Sequence, residues 1–299
     1  MSHTPLRYSQ NFLRDSRLVE HLLAQSTIGH EDVVYEVGPG KGIITDCLAR
    51  RSRRVVAVEL DGVLAERLRR RYAEHPHVTI HSGDFLACAL PEGPYKVFAN
   101  IPFAHTREIV TRLTEATCPP QDAYLVMQRE AAETFCGSPR ECLYSVLLKP
   151  WFTVEVTHHF RRSDFTPVPN VEVVMLRLQK RGPPLIAASE RQLFRDFVVY
   201  GFATRQPTLE QTLRGVFSRR QLQQVIRTCA IPPDASPSSL VFPQWVELFQ
   251  CFTRVGGAEA RRLISGSERQ LRQRQARLHK IHRTSAGRAQ PRAAWRRDR

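Results

Sequence analysis

The chain has 299 residues, of which 42% are hydrophobic, and this predicts a folded protein with one large domain and a smaller one rather than a disordered chain. It contains no run of about 18 apolar residues, so the sequence predicts no membrane-spanning helix. Its first residues lack the apolar core of a signal peptide, and a cytoplasmic protein is expected. Seven scattered cysteines without a C-x-x-C pair predict reduced thiols, neither a disulfide framework nor a zinc site.

The positive charge is concentrated near the C-terminus. The formal net charge of the chain is +15. Residues 261–299 contain 13 Arg or Lys residues against two acidic ones, a net charge of +11. Such a concentration predicts a polyanionic partner, most often a nucleic acid.

Strand-like and helix-like segments alternate along the first 180 residues. Asp15 is expected to cap a first helix that begins at Ser16. The predicted strands are 33–37, 55–59, 78–81, 95–100, 123–128, 152–159 and 171–178. The predicted helices between them are 43–51, 61–72, 106–114, 130–136 and 142–148. This alternation predicts the α/β class, with a doubly wound sheet of seven strands whose last two strands, joined without a helix, pair antiparallel at one edge.

A second, helical region follows a boundary signal at Gly182-Pro183-Pro184. Three apolar faces at helical spacing follow it, and from Gly256-Gly257 onward the apolar periodicity is lost. The basic tail beyond is expected to be disordered when free. The predicted domains are therefore an α/β domain (1–181), a small α-helical domain (182–257) and a basic Arg-rich tail (258–299).

A glycine-rich turn, Glu36-Val37-Gly38-Pro39-Gly40-Lys41-Gly42, ends the first predicted strand. Three glycines let the backbone turn sharply and approach a ligand closely, although the pattern is not the dinucleotide fingerprint Gly-x-Gly-x-x-Gly. Glu59, about twenty residues on, could accept both hydroxyls of a ribose. Asp84, after the third strand, could accept a hydrogen bond from an adenine amino group. Each could instead be structural, as a tight turn, a strand-end carboxylate or a turn cap.

The stretch Asn100-Ile101-Pro102-Phe103 follows the fourth predicted strand. The exocyclic amine of adenine is a poor nucleophile because its lone pair is delocalised into the ring. Two acceptors that face its hydrogens, the Asn100 side-chain oxygen and the Ile101 backbone carbonyl, would favour the tetrahedral amine that attacks a methyl group. Phe103 offers a face on which a base can stack. The alternative is a strand-end turn with a core phenylalanine.

In this order, the motifs resemble those of the rRNA adenine N6-methyltransferases of the erythromycin-resistance (Erm) type, relatives of the housekeeping small-subunit rRNA adenine dimethyltransferases. The resemblance covers roughly residues 8–255. It rests on Gln10-Asn11-Phe12-Leu13, Glu36 to Gly42, Glu59, Gly83-Asp84-Phe85, Asn100 to Phe103, Met127 to Ala132 and Asp164 to Pro169. Two positions depart from the commonest pattern of the family. Phe103 stands where many relatives carry tyrosine, and Ala104-His105 stands where Asn, Gly or Ser is frequent.

The resemblance implies a Rossmann-like methyltransferase domain of seven strands, an α-helical C-terminal domain and S-adenosylmethionine (AdoMet) as methyl donor. It implies that Phe165 supplies the second face of an aromatic clamp around a flipped-out base. The residues implied for catalysis are Asn11, Asn100, Ile101, Phe103 and Phe165. Those implied for binding the cofactor are Gln10, Asn11, Leu13, Glu36, Gly38, Gly40, Glu59, Leu60, Asp84, Phe85 and Asn100.

Three functions agree with these features. The first is a resistance-type enzyme that methylates one adenine of 23S rRNA in the peptidyl-transferase region, acting as a monomer and conferring macrolide–lincosamide–streptogramin B resistance. The second is the housekeeping dimethyltransferase of the small subunit, and the third is a non-catalytic nucleic-acid-binding protein on the same fold. The features that favour the first function over the second are Ile101, Phe103, the Gln128 to Ala132 run, the Pro167-x-Pro169 loop and the Arg-rich tail. Intact Asn100 and Glu59 disfavour the third.

Overall fold

The fold is taken from a computed structural model, which describes residues 11–285 except 204, 205, 207 and 233, with side chains described as far as residue 276. The chain divides into two compact units, one that ends at Leu185 and one that begins at Ile186. Among the residues described, no helix has the length and apolar character needed to cross a bilayer.

Strands and helices alternate in the first unit, whereas the second unit is helical. The strands within the described residues are β1 (Phe12–Leu13), β2 (Val33–Val37), β3 (Arg54–Glu59), β4 (Val78–Ser82), β5 (Lys96–Asn100), β6 (Asp122–Gln128), β7 (Phe152–His159), β8 (Phe165–Thr166) and β9 (Val173–Lys180). The helices of the first unit are α1 (Ser16–Ala24), α2 (Ile43–Arg51), α3 (Gly62–Arg71), α4 (Thr106–Thr114), α5 (Arg129–Cys136) and α6 (Leu143–Leu148). Those of the second are α7 (Arg191–Ala203), α8 (Leu209–Leu213), α9 (Arg219–Thr228), α10 (Phe242–Val255), α11 (Ala258–Ile264) and α12 (Ser267–Ser285).

Seven strands form the main sheet in the order β4-β3-β2-β5-β6-β9-β7. Strands β2 to β6 are parallel to one another, whereas β9 pairs antiparallel with both β6 and β7. The prediction of a seven-strand Rossmann-like sheet with an antiparallel pair at one edge is therefore confirmed. The chain builds outward from β2 to β4 and then returns to place β5 beside β2. This reversal of strand order is where ligands of open α/β sheets bind.

The two faces of the sheet are buried in two apolar clusters because successive side chains of a strand point to opposite faces. In β6, Tyr124 and Val126 belong to the cluster that contains α1, α2 and α3 residues. Ala123, Leu125 and Met127 belong to the cluster on the other face. The apolar runs of the central strands are thus explained by burial on both sides.

The helix starts follow local capping chemistry. Asp15 accepts a hydrogen bond from the Arg17 N–H at 2.8 Å, and so begins α1. Asp61 accepts from the N–H groups of Val63 at 2.8 Å and Leu64 at 3.2 Å, at the start of α3. Each carboxylate satisfies donors that the first helical turn leaves unpaired, which confirms the predicted Asp15 cap and adds a second cap at Asp61.

The expected disorder of the tail is wrong for its first part, because residues 258–264 and 267–285 form α11 and α12. Ile264 is fully buried. The start of α12 is held by a polar contact, since Asp196 of α7 accepts hydrogen bonds from the N–H groups of Gly266 at 3.2 Å and Glu268 at 2.9 Å. A search for apolar periodicity misses an anchor of this kind. Residues 286–299 of the predicted tail lie outside the described residues.

We predict that Asp122→Ala lowers the free energy of unfolding by about 3 kcal/mol, because it breaks a buried ion pair. Asp122 is 3% exposed and receives Arg177 Nε and Nη2 at 2.9 Å each, which ties β9 to β6. Urea unfolding followed by circular dichroism measures the change. Glu66→Ala, which removes the exposed pair with Arg70 on α3, serves as control and should change little. Equal losses in both variants would contradict the assignment.

Candidate active site

A cleft of about 290 Å³ opens at the carboxyl ends of β2 and β5, where the strand order reverses. Its lining comes from three places in the chain: the segment before β1 and β1 itself, the glycine turn after β2, and the turn after β5. The lining residues are Asn11, Phe12, Gly38, Asn100, Ile101, Pro102 and Phe103. The sheet topology therefore brings the glycine-rich motif and the Asn-Ile-Pro-Phe motif to one site.

The glycine turn depends on backbone conformations that favour glycine. Gly38, Gly40 and Gly42 have φ values of 68°, 56° and 86°. A Cβ on Gly38 would meet no atom within 4 Å, so this glycine leaves open space. A Cβ on Gly40 would collide with the Phe12 ring, whose Cδ1 would lie 2.9 Å away. Gly40 thus allows an aromatic ring to lie directly on the backbone of the turn.

Glu59 holds this turn from the end of β3. Its Oε2 accepts a hydrogen bond from the Gly40 N–H at 2.9 Å, and its Oε1 accepts one from the Asp61 N–H at 2.9 Å. The residue is 1% exposed. Each carboxylate oxygen has more than one lone pair, so both oxygens keep acceptor capacity for the expected ribose hydroxyls. The structure also gives Glu59 a structural role, because the same carboxylate holds the glycine turn by its hydrogen bond to the Gly40 N–H.

Glu36 is a buried acid beneath the turn. It is 1% exposed, and its Oε2 accepts a hydrogen bond from Thr45 Oγ1 at 2.6 Å. Burial raises the pKa of Glu36 from 4.5 to about 8, the charges of Glu59 and Asp46 add to this rise, and the Thr45 hydrogen bond opposes it. The carboxyl group is therefore largely neutral at pH 7, and it can donate a hydrogen bond as well as accept one.

The residues expected around an adenine differ in exposure. Asp84 is exposed, and its Oδ1 accepts the Leu86 N–H at 2.8 Å, which is a turn contact. Phe85 is 5% exposed and belongs to the apolar cluster on one face of the sheet. Leu60 is 51% exposed, so its side chain is available to cover a ligand.

Asn100 has a fixed orientation and an unused acceptor. Its Nδ2 donates a hydrogen bond to the backbone carbonyl of Asn11 at 2.6 Å. Its Oδ1 is buried and has no hydrogen-bond partner in the described part of the chain. Buried polar atoms in folded proteins are nearly always paired, so an unpaired one at a cleft marks a place for a ligand donor.

The turn after Asn100 is fixed by the burial of Ile101 and by the proline ring of Pro102, and it is open to the cleft at Phe103. Ile101 is 2% exposed, and its N–H donates to the Val126 carbonyl at 3.2 Å. Pro102 has φ −63° and leads into a 3₁₀ turn, Phe103–His105. Phe103 is half-buried and lines the cleft. The structure therefore brings Asn100, Ile101 and Phe103 together in the lining of one cleft.

Two expected site residues are buried in the structure. Phe165 is fully buried and makes an edge contact with Phe160, with ring centroids 5.3 Å apart. Leu13 is 5% exposed and packs in the same apolar cluster. The physical reason is that Leu13 and Phe165 are directly opposed in the antiparallel pair β1–β8 and so share one face. Gln10, a further expected residue, lies outside the described residues.

Phe12 is the residue that sequence reasoning overlooked. Its ring lies on Gly40, lines the cleft, and has the Lys41 ammonium 5.4 Å from its centroid. An aromatic residue next to the matched Asn11 could have been singled out from alternation alone, since neighbours on a strand point to opposite faces.

The described residues fit the cofactor that the sequence predicts. A nucleoside needs backbone that approaches closely and a carboxylate for its ribose, and the open space at Gly38 and the Glu59 carboxylate provide both. Asn100 and Phe103 are not needed for these two contacts, and they line the same cleft. The site can therefore hold a nucleoside cofactor beside a planar base.

Comparison with known proteins gives concordant sequence matches. Residues 1–254 match the family described as ribosomal RNA adenine dimethylase. An rRNA methyltransferase from Streptomyces thermotolerans is 35% identical over 245 residues, which are 81% of each chain. The ribosomal RNA small subunit methyltransferase A of Streptococcus uberis is 29% identical over 266 residues, 83% of this chain and 92% of that one.

The fold is also found among solved structures. The crystal structure of the 23S rRNA methyltransferase ErmE is similar with a TM-score of 0.75 at 28% identity, over 81% of this chain and all of that one. A dimethyladenosine transferase from Plasmodium falciparum has a TM-score of 0.68 at 17% identity, over 81% of this chain and 98% of that one. The second likeness bears on the fold alone.

We predict that Glu36 makes stability depend on pH. Its folded pKa of about 8 exceeds its ordinary value of 4.5, so the stability it contributes is complete below pH 4.5 and is lost as the pH rises to about 8. The loss is at most about 5 kcal/mol, at about 1.4 kcal/mol per pKa unit. Urea midpoints between pH 5 and 8 should fall more steeply for the wild type than for Glu36→Gln. If the urea midpoints of the wild type and Glu36→Gln change in parallel with pH, Glu36 is not a buried neutral acid. Glu66→Gln, a change at an exposed glutamate, is the control and should follow the wild type.

Proposed function

The chain belongs to the ribosomal RNA adenine dimethylase family, and we propose that it transfers methyl groups from AdoMet to the N6 amine of one adenine in 23S rRNA. The observation that carries the proposal is the buried, unpartnered Oδ1 of Asn100 at the cleft. An acceptor in that position is suited to a ligand that brings an N–H donor, and the amine of adenine is such a donor.

When bound, AdoMet supplies an electrophilic methyl group; the chain supplies position and polarity. We assign Gly38, Gly40 and Glu59 to cofactor binding, together with Asp84 and Leu60 at the adenine end. Glu36 supports the same turn from below. No side chain has to form a covalent bond, so catalysis by this site consists of orientation and electrostatic preorganisation.

The target amine is activated by hydrogen-bond acceptors. Asn100 Oδ1 accepts one N–H of the amine, and the backbone carbonyl of Ile101 accepts the other. These contacts draw the nitrogen lone pair out of the ring, and they strengthen as positive charge develops on the nitrogen during attack. Because Asn100 Nδ2 is held by the Asn11 carbonyl, the acceptor is in place before the base arrives. The proton then leaves to water.

The base is held by stacking. Phe103 gives a half-exposed ring at the mouth of the cleft, and a flipped-out adenine can lie against it. Phe12 is the second aromatic residue of the lining. Since Phe103 has no hydroxyl, stacking and not hydrogen bonding is its contribution.

The 23S target is supported by likeness to proteins of that activity. ErmE, named as a 23S rRNA methyltransferase, combines a TM-score of 0.75 with full coverage of its chain. Methylation in the peptidyl-transferase region would confer macrolide–lincosamide–streptogramin B resistance. The second candidate, dimethylation of small-subunit rRNA, is favoured by the match to the Streptococcus uberis enzyme over 92% of its length. In either case we assign RNA recognition to the helical region 182–257.

We predict that Asn100→Ala keeps AdoMet binding and lowers the methylation rate roughly 10²-fold or more, as expected when a transition-state hydrogen bond is lost. Calorimetry with AdoMet and single-turnover methylation of an rRNA transcript measure the two effects. Asn170→Ala, the same change at an exposed asparagine outside the cleft lining, should behave as the wild type. A near-normal rate in Asn100→Ala would remove the proposed activation of the amine.

We predict that expression of the chain, in a susceptible bacterium that lacks its own small-subunit rRNA adenine dimethyltransferase, places one methylation-dependent stop of primer extension in 23S rRNA and none near the 3′ end of the small-subunit rRNA. The strain should also become resistant to macrolides. The inactive Asn100→Ala variant, expressed at the same level, is the control. A stop only in small-subunit rRNA would establish the housekeeping activity instead.

A further inference from the structure

The family match ends at residue 254, and α11 and α12 lie beyond it. These helices are built onto the second unit rather than trailing from it. Asp196, which is 5% exposed, satisfies two N–H donors at the start of α12. Arg195 of α7 donates from Nη2 to Glu268 Oε1 at 2.6 Å. The extension is therefore a fixed part of the helical unit.

The anchor leaves the extension with uncompensated positive charge. Glu268, the single acid of α12, is 6% exposed and is shared by Arg195 and Arg272. Burial opposes its ionisation, but the hydrogen bonds and charge of Arg195, with those of Arg272 and Gln192, lower the pKa of Glu268 to about 2. Its charge is thus already paired with Arg195 and Arg272 and is not available to the other arginines of the extension.

Three exposed arginines of the extension make neither an ion pair nor a hydrogen bond within the described side chains: Arg262, Arg269 and Arg274. Arg261 is exposed and has no ion pair either, but its guanidinium donates to the Thr253 carbonyl at 3.1 Å. Glu259 is the exposed acid of α11. The arginines project from helices that are already ordered, so binding a polyanion would require little further ordering of the backbone. Exposed guanidinium groups without an ion pair are well suited to bind phosphate oxygens.

Arg274 also lines a cavity between α7 and α12 that is open to solvent; its volume of about 490 Å³ includes the solvent at its mouth. The cavity presents an aromatic ring, a hydroxyl, an amide and a guanidinium; its lining residues are Tyr200, Ala203, Ser267, Gln270, Leu271 and Arg274. Tyr200 is held in place because its hydroxyl donates to the Thr212 carbonyl at 3.5 Å. This mixture fits a nucleotide, with a ring for the base and a cation for the phosphate, better than an apolar peptide or a lipid chain.

We propose that α11 and α12 form an RNA-binding surface that contacts the phosphate backbone through Arg262, Arg269 and Arg274, and that one nucleotide lies in the cavity beside Arg274. The proposal rests on the proposed function to the extent that the RNA is rRNA. It adds a contact region, beyond the residues matched by the family, whose affinity is independent of base sequence.

The test is filter binding of the full chain to two transcripts, a hairpin from the peptidyl-transferase region and an unrelated hairpin, over a salt series. Each phosphate contact adds about 0.7 to the magnitude of the log–log salt slope on single strands. The triple variant Arg262→Gln/Arg269→Gln/Arg274→Gln should therefore lower that magnitude by about 2 on both transcripts. The corresponding Arg→Lys triple variant, which keeps the charges, should retain most of the slope.

The matched control removes three charges elsewhere. Arg53, Arg54 and Arg67 are exposed residues of the first unit, and the first two lie at the amino end of β3, opposite the edge that forms the cleft. The Arg53→Gln/Arg54→Gln/Arg67→Gln variant should keep the wild-type slope. If both triple variants lose the same amount of salt slope, the effect is due to net charge and not to the α11–α12 surface. If the α11–α12 variant keeps the wild-type slope, its arginines make no phosphate contacts. Either result overturns the proposal.

Failure of the proposed function is distinguishable from failure of this inference. If the wild type binds both hairpins with the expected slope but methylates no adenine of 23S rRNA, the target assignment is wrong and the surface stands. If the α11–α12 variant methylates a different adenine, the surface reads sequence and the proposed backbone contact is wrong. If the wild type binds neither hairpin, both are wrong.

Discussion

The hydrogen bond from Asn100 Nδ2 to the Asn11 carbonyl is the contact on which the chemistry of the site depends. A primary amide has donors at one end and acceptors at the other, and only its partners decide which end faces a ligand. A backbone carbonyl can only accept, so the nitrogen must face Asn11 and the oxygen must face away from it. The first described residue of the chain thereby sets the polarity of a side chain at the end of β5.

This arrangement is maintained against a free-energy penalty. A buried acceptor without a partner costs about 1–3 kcal/mol in the absence of its ligand. Glu36 adds a second penalty, because its carboxyl group is buried near two other acids. Such violations are tolerated where the surrounding fold is strong, and here the parallel strands β2, β3, β5 and β6 are buried on both faces. The stability of the sheet therefore compensates for a site that keeps an unpaired acceptor for a hydrogen-bond donor of the ligand.

The main sheet could be predicted closely from the sequence because its signals are local. Strand β2 coincides with the predicted residues 33–37, and α4 with the predicted 106–114. The insertion of β9 between β6 and β7 could not be read in the same way, since it is set by long-range pairing. The helical structure of α12 could not be predicted either, because Asp196 anchors its start from about seventy residues away and through backbone donors. Polar anchors leave no periodic pattern in the sequence.

The burial of Phe165 has a definite structural origin. Cross-strand partners in an antiparallel pair share a face, so Phe165 must lie on the side of Leu13, and Thr166 on the side of Phe12. Leu13 faces the core, which commits Phe165 to the core as well. By the same alternation Phe12 must face away from that core, and there it meets Gly40 and the cleft. The register of these two short strands thus places the Phe12 side chain in the lining of the cleft and the Phe165 side chain in the apolar core.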